Sequence, residues 1–150
     1  MHDGNILLLL RQINICLGLY ENEALAANGM TFAQVFLMNV IFSMDAPRIC
    51  STDLSEKVGF TRSSISRTLR ELKKSGYIKM EMDEEDNRKK HIILTQKALS
   101  AKTDIEGYID SLNHCLLQAI PEHSLAGIED SLRSILDNLQ QETLDSVYTS

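Results

Sequence analysis

Apolar residues near the start of the chain recur at a helical period. Over residues 4–21, Ile6, Leu10, Ile13, Leu17 and Tyr20 follow spacings of 4, 3, 4 and 3, which predicts a helix with an apolar seam and Asp3 as its cap. Leu7, Leu8, Ile15 and Leu19 fall outside that seam. A helix apolar on several sides has to be covered from more than one direction, which points to a partner chain. A polar connection over 21–29, with room for one more helical turn, is expected to stop at Asn28-Gly29. Thr31 then caps a second helix, Phe32 to about Met44, whose Val35, Phe36, Leu37, Val40 and Ile41 suit the centre of a core. Pro47 closes that element, and Ile49-Cys50 can form a very short strand.

The pattern then tightens. Ser51 caps a short helix with Leu54 and Val58 inward, and Gly59-Phe60 makes a turn, glycine accepting the positive φ of a tight junction. Thr61 caps the next helix, Arg62 to Ser75, which Gly76 ends. Tyr77–Met82 and Lys89–Leu94 read as two strands around a polar turn, Asp83–Arg88. Thr95 caps a long helix reaching about Ala119, with Ala98, Ala101 or Lys102, Ile105, Tyr108, Ile109, Leu112, Leu116 and Ile120 inward. After the Pro121 break a last helix, about Ser124 to Val147, carries Leu125, Ile128, Leu132, Ile135 and Leu139 at coiled-coil-like spacings. The expected fold is mostly α with a small β-hairpin wing: a winged helix-turn-helix over 31–95 within a single domain of 1–150. Helices at 1–21 and 96–150 would form a homodimerisation region.

Composition adds limits. With 4 Phe, 4 Tyr and no Trp, the core must be aliphatic, which suits helix packing. Cys16, Cys50 and Cys115 are an odd, widely spaced set without a CxxC pair, so neither a disulfide framework nor a structural zinc site is expected, and a reducing cytoplasm is the default. The run Ile6–Leu10 is too short and wrongly flanked for a signal peptide, and no run approaches the ~20 residues a membrane span needs.

Charge changes the picture more. The chain is acidic, at −6 overall, yet residues 57–79 carry Lys57, Arg62, Arg67, Arg70, Lys73, Lys74 and Lys79 against Glu71 alone. An acidic molecule with one basic block can meet DNA through that block while its other surfaces repel it. At about 100° per residue, Ile65, Leu69 and Leu72 gather on one side of the helix. Ser63, Arg67, Arg70 and Lys74 lie within roughly 40° of the opposite pole, and Ser66 flanks them. Arginine can pair bidentately with guanine, serine can bond a base edge or a phosphate, and Thr61 with Ser63 at a positive helix N-terminus can hold a phosphate. A cationic helix face is often merely solvated; the helix-turn-helix before it and the hairpin after it favour DNA. In the wing, Arg88, Lys89 and Lys90 suit phosphate or minor-groove contact, with Asp86 holding Arg88 in position, although Glu84 and Glu85 sit at the tip.

Asp86-x-Arg88 followed by Leu94-Thr95 resembles the DxRxxxxxLT wing signature of the MarR family of bacterial transcriptional regulators. The preceding SxxLSEKVGFTRSSISRTLRELKKSGYI is similar to that family's helix-turn-helix, and the helical ends fit as well. The resemblance implies an obligate homodimer whose first and last helices interlock. It implies Ser63, Ser64, Arg67 and Arg70 in a major groove and Arg88 in a minor groove, with Thr61, Arg62, Ser66, Lys74 and Lys89 completing the DNA-contacting set. Glu84 and Glu85 depart from the commoner basic wing. The function implied is a DNA-binding regulator, a repressor by default, acting on a pseudo-palindrome of double-stranded DNA and released by a small-molecule or oxidant effector.

Two alternatives stay beside it. Cys16-Leu-Gly-Leu-Tyr20 is similar to the CFxLY segment of the family's organic-hydroperoxide sensors, which makes Cys16 a candidate redox residue, although the tyrosines those sensors place in the next helix are replaced here by Thr31-Phe-Ala-Gln. The other alternative is a dimeric winged-helix interaction module that does not read DNA, which the acidic wing tip supports. Phe32, Phe36, Met38 and Met44 could line an effector pocket, though at helical spacing they read first as core. Asp110, His114 and His123 are too few for a metal site. No phosphate loop or nucleophile motif points to catalysis, and no cofactor is expected.

Overall fold

The computed structural model describes residues 4–23, 25–46, 48–58, 62–86 and 88–149, with the backbone alone at 22, 23, 25–27, 62 and 144–149. Asp3, Pro47, the Gly59-Phe60 turn and Thr61 therefore lie outside the described residues. In chain order the elements are α1 (Asn5–Glu23), β1 (Leu25–Ala27), β2 (Met30–Thr31), α2 (Phe32–Ser43), β3 (Ile49–Cys50), α3 (Ser51–Val58), α4 (Arg62–Lys74), β4 (Ile78–Met82), β5 (Lys90–Leu94), α5 (Gln96–Leu116) and α6 (Glu122–Thr149). The chain divides into two compact units, Met1–Leu112 and Asn113–Ser150.

The first unit is built around α2. Val35, Leu37, Met38, Ile41 and Phe42 are buried there against Leu54 of α3, Ile65, Leu69 and Leu72 of α4, Ile92 of β5, and Ala98, Ala101 and Ile105 of α5. Thr31 caps α2 through a full capping box: its hydroxyl accepts from the Gln34 N–H, and the Gln34 side chain accepts from the Thr31 N–H. The three-stranded sheet is antiparallel in the order β3-β5-β4, so Lys90–Leu94 is its central strand. Met38 and Met44 belong to this core, and Phe32 and Phe36 stack with ring centroids 5.8 Å apart.

Several expectations need correction. Residues 25–31 form a small hairpin, with Leu25 opposite Thr31, where a polar connection with a helical turn was expected. Asn28 and Gly29 both adopt positive φ, at 52° and 74°, the backbone a two-residue hairpin turn requires. Ser51 is the first residue of α3 and does not precede it. Helix α5 ends at Leu116, with Ala119 at positive φ in the turn beyond. Its inward face runs through Ala98, Ala101, Ile105, Tyr108 and Ile109, whereas Lys102, Leu116 and Ile120 are exposed.

Helix α1 turns Ile6, Leu7, Leu8, Leu9, Ile13, Ile15 and Leu19 to solvent, each more than half exposed. In the second unit, α6 likewise leaves Ile128, Leu132, Leu136 and Leu139 exposed along one helix. None of the described helices is long and apolar enough to cross a membrane.

Candidate nucleic-acid interface

Helix α4 is strongly two-faced. Ile65, Leu69 and Leu72 are at most 5% exposed, while Ser63, Ser66, Arg67, Arg70, Lys73 and Lys74 are exposed and Ser64 is half-buried. Thr68 sits on the packed side, where its hydroxyl donates to the Ser64 carbonyl at 3.0 Å and so satisfies a buried polar group. Glu71, the acid within the basic block, accepts a hydrogen bond from Gln34 Nε2 at 3.1 Å, which ties α4 to α2. The Arg62 backbone opens α4; its side chain and all of Thr61 lie outside the described residues.

The exit from α4 is rigidly held. Gly76 has φ +84, its N–H donates to the Lys73 carbonyl at 3.1 Å, and the Tyr77 N–H donates to the Leu72 carbonyl at 3.0 Å: a complete Schellman cap. The first turn of α5 clasps that cap. The Thr95 hydroxyl lies 2.6 Å from the Gly76 carbonyl and 3.0 Å from that of Tyr77, and it accepts from the Ala98 N–H at 3.3 Å. Lys97 Nζ donates to the Ser75 carbonyl at 2.7 Å and stands 4.5 Å over the Tyr77 ring. The Leu94-Thr95 end of the wing signature thus fixes where α4 stops. Sequence reasoning missed Lys97, because its partner lies 22 residues away.

Asp86 acts on the wing backbone. Its Oδ1 accepts from the Arg88 N–H at 3.0 Å, and its carbonyl accepts from the Lys89 N–H at 3.0 Å. It thereby shapes the turn that presents Arg88 and Lys89, both exposed. Asp83 does the same one step earlier, accepting from the Glu85 N–H at 3.0 Å, with His91 Nε2 3.2 Å from its other oxygen. The Glu85 N–H, and after it the His91 contact, hold the Asp83 carboxyl below the ordinary carboxylate range. The opposite nitrogen of His91, Nδ1, is buried with no hydrogen-bond partner among the described residues.

The cationic residues flank α4 on two sides. Ser64 and Arg67 border a cavity of about 160 Å³ that reaches Ala33 and Leu37 of α2. Ser66 and Arg70 border a groove of about 270 Å³ toward the wing, together with Ser51, Lys73 and Lys90. The sequence wheel did not bring Ser51, Lys73 and Lys90 together, since only the pairing of β5 with β3 and β4 carries Lys90 there. Cys16 is exposed on α1, one turn before Tyr20, whose hydroxyl lies 3.3 Å from that of Tyr108. Burial first, and then the Tyr20 contact, push the Tyr108 hydroxyl up to about 12. No group of three or more His, Cys, Asp or Glu side chains able to hold a metal occurs among the described residues.

A helix with one packed and one cationic face, a glycine-capped exit and an adjoining hairpin define a winged helix-turn-helix protein. Residues 30–98 match the family model described as a winged helix DNA-binding domain. Over 120 residues the chain is 28% identical to the HTH-type transcriptional regulator PrsX of Escherichia coli, covering 73% of this chain and 72% of that one. Its fold matches a MarR protein from Peptoclostridium difficile with TM-score 0.78, at 17% identity over 95% of this chain and 92% of that one. It also matches the MarR family regulator Sco3205 of Streptomyces coelicolor, solved in complex with DNA, with TM-score 0.75 at 20% identity over 93% and 91% of the two chains. By fold the chain is similar to the MarR-type winged helix-turn-helix proteins.

Proposed function

We propose that the chain is a homodimeric repressor that reads a pseudo-palindromic operator and leaves it when an effector binds. The observation that carries this is the face of α4: Ser66, Arg67, Arg70 and Lys74 are exposed together, opposite side chains locked in the core. Arg67 and Arg70 are the base readers, Ser63, Ser64 and Ser66 add base or phosphate contacts, and Lys74 takes a phosphate. Thr61 and Arg62 would extend that set at the helix start. Arg88 and Lys89 approach the minor groove on the turn that Asp86 shapes. Domain roles follow the same division: 31–95 reads DNA, and the helices of 1–21 and 96–150 pair two copies. The exposed leucines and isoleucines of α1 and of α6 support pairing, because so much apolar surface on a free monomer would drive aggregation.

Selection of duplexes from a random-sequence pool, followed by footprinting, tests this reading. Two symmetric half-sites with centres about 10 bp apart are expected. Arg67→Ala with Arg70→Ala should abolish that selectivity while leaving the dimer intact, at about 1–3 kcal/mol of discrimination per bidentate contact. A dimer that enriches no sequence would instead be an interaction module.

One observation favours an oxidant as the effector. Cys16 is exposed on a helix that also carries Tyr20, and Tyr20 meets Tyr108 of α5. Cys16→Ser should then abolish peroxide-induced release from the selected duplex; release that persists in the variant excludes the thiol.

A further inference from the structure

We infer that the groove between α4 and the wing is a seat for one backbone phosphodiester of the DNA. This rests on the DNA-reading function proposed above, and it brings in Ser51, Lys73 and Lys90, which lie outside the base-reading face. In B-form DNA a sugar-phosphate strand separates the major groove from the neighbouring minor groove. A module with a helix in the first and a hairpin at the second straddles that strand. The space between helix and hairpin is therefore where the strand runs, and here it is an open groove of about 270 Å³.

The lining has the chemistry that a phosphodiester needs. Arg70 and Lys73 line it from α4 and Lys90 from β5, and Ser51, Ser66, Leu69 and Met80 complete the lining. The lining residues include three cations and no carboxylate. Like charges gathered on one groove repel one another unless an anion joins them. Nearby acids are engaged elsewhere: Glu71 with Gln34, Asp83 with His91, and Glu81 with Arg48 at 3.8 Å. Among the described residues none of Arg70, Lys73 and Lys90 is in an ion pair.

The groove also changes the electrostatic reading of the wing. Lys90 pairs across the hairpin with Met82, the last ladder pair before the turn, so the cation is fixed on the paired strands while Glu84 and Glu85 lie in the turn beyond them. Attraction to the backbone comes from the paired strand, and the acidic turn does not have to touch it.

The test uses the full chain and a duplex selected from a random pool by the unaltered protein. Lys73→Gln with Lys90→Gln should lower the slope of log affinity against log salt by about 0.9 for each groove, two grooves per dimer. Sequence preference should be unchanged, and Lys73→Arg with Lys90→Arg should restore the slope. Replacing single phosphates by uncharged methylphosphonates, position by position, should weaken the unaltered protein about tenfold at one linkage per half-site, as for a charge-assisted hydrogen bond. The glutamine variant should be insensitive at that linkage. A glutamine variant that melts like the parent and keeps the parental slope and methylphosphonate profile overturns the inference, while the DNA-reading function stands. Inorganic phosphate shifting the NMR signals of the groove, with the slope still unchanged, assigns the groove to a free anion and overturns it equally. An unaltered protein with no salt-dependent duplex binding removes the DNA reading itself, and this inference with it.

Discussion

Helices α4 and α1 share an apolar periodicity and end in opposite environments. In α4, Leu72 is 0% exposed and Ile65 and Leu69 nearly so, because α2 supplies their packing surface within the chain. In α1, Leu7 is 68% exposed and Ile13 53%. Periodicity shows that a helix has an apolar face, and it is silent on whether the cover comes from the same chain or another. The basic helix is completed by its own domain and leaves its polar face exposed, while the apolar face of α1 stays uncovered within the chain.

The largest effect should come from trading a covered leucine against an uncovered one. Leu72→Ala should cost about 2–5 kcal/mol by removing packed volume, as measured by denaturant unfolding. Leu7→Ala should leave the unfolding of the lobe itself nearly unchanged; equal losses from both would erase the contrast. Next, Ile13→Glu should weaken dimerisation by more than the about 1–3 kcal/mol of an unbonded neutral polar group for each buried carboxylate, read by sedimentation as a shift toward monomer mass with secondary structure retained. A variant that stays fully dimeric would show that α1 is not the pairing face.

A smaller effect sharpens the description of α4. Gly76→Ala meets no steric neighbour closer than Lys97 Cδ at 3.9 Å, so its cost is conformational, about 1 kcal/mol for a side chain held at φ +84. Thermal unfolding should show that loss, and DNA affinity should fall with it if the Schellman cap sets the helix end.

The smallest effect is in the wing. The Glu85 N–H and His91 hold the Asp83 carboxyl below the ordinary aspartate range, so its contribution to stability is present above that range and is lost as pH falls through the lower folded value. Asp83→Asn should lower stability slightly at neutral pH, leave it unchanged below the folded pKa, and so flatten the acid side of the stability profile; a loss of the same size at acid pH would assign Asp83 another role.

Much of this was legible from local chemistry. The capping box at Thr31, the glycine stop at Gly76 and the Thr95 cap each depend on residues within a few positions. The hairpin at 25–31 was not legible, since strands of three and two residues are too short to show a period and Asn28-Gly29 serves equally as a helix stop. The end of α5 was also misjudged: Leu116 and Ile120 continue the apolar spacing, yet the helix stops at Leu116 and both side chains face solvent. The Asp86 carboxylate bonds the Arg88 backbone N–H, which composition cannot distinguish from an ion pair.

By itself the sequence determined most of the elements, the cationic pole of α4 and the net positive block at 57–79, because these follow from residue type and short spacing. Only the tertiary structure decided which apolar faces are covered, that Lys97 and Thr95 clasp the end of α4, and that Lys73 and Lys90 share one groove with Arg70. Those depend on strand register and helix packing between residues some 20 positions apart, and backbone pairing brings them together where no local pattern records it.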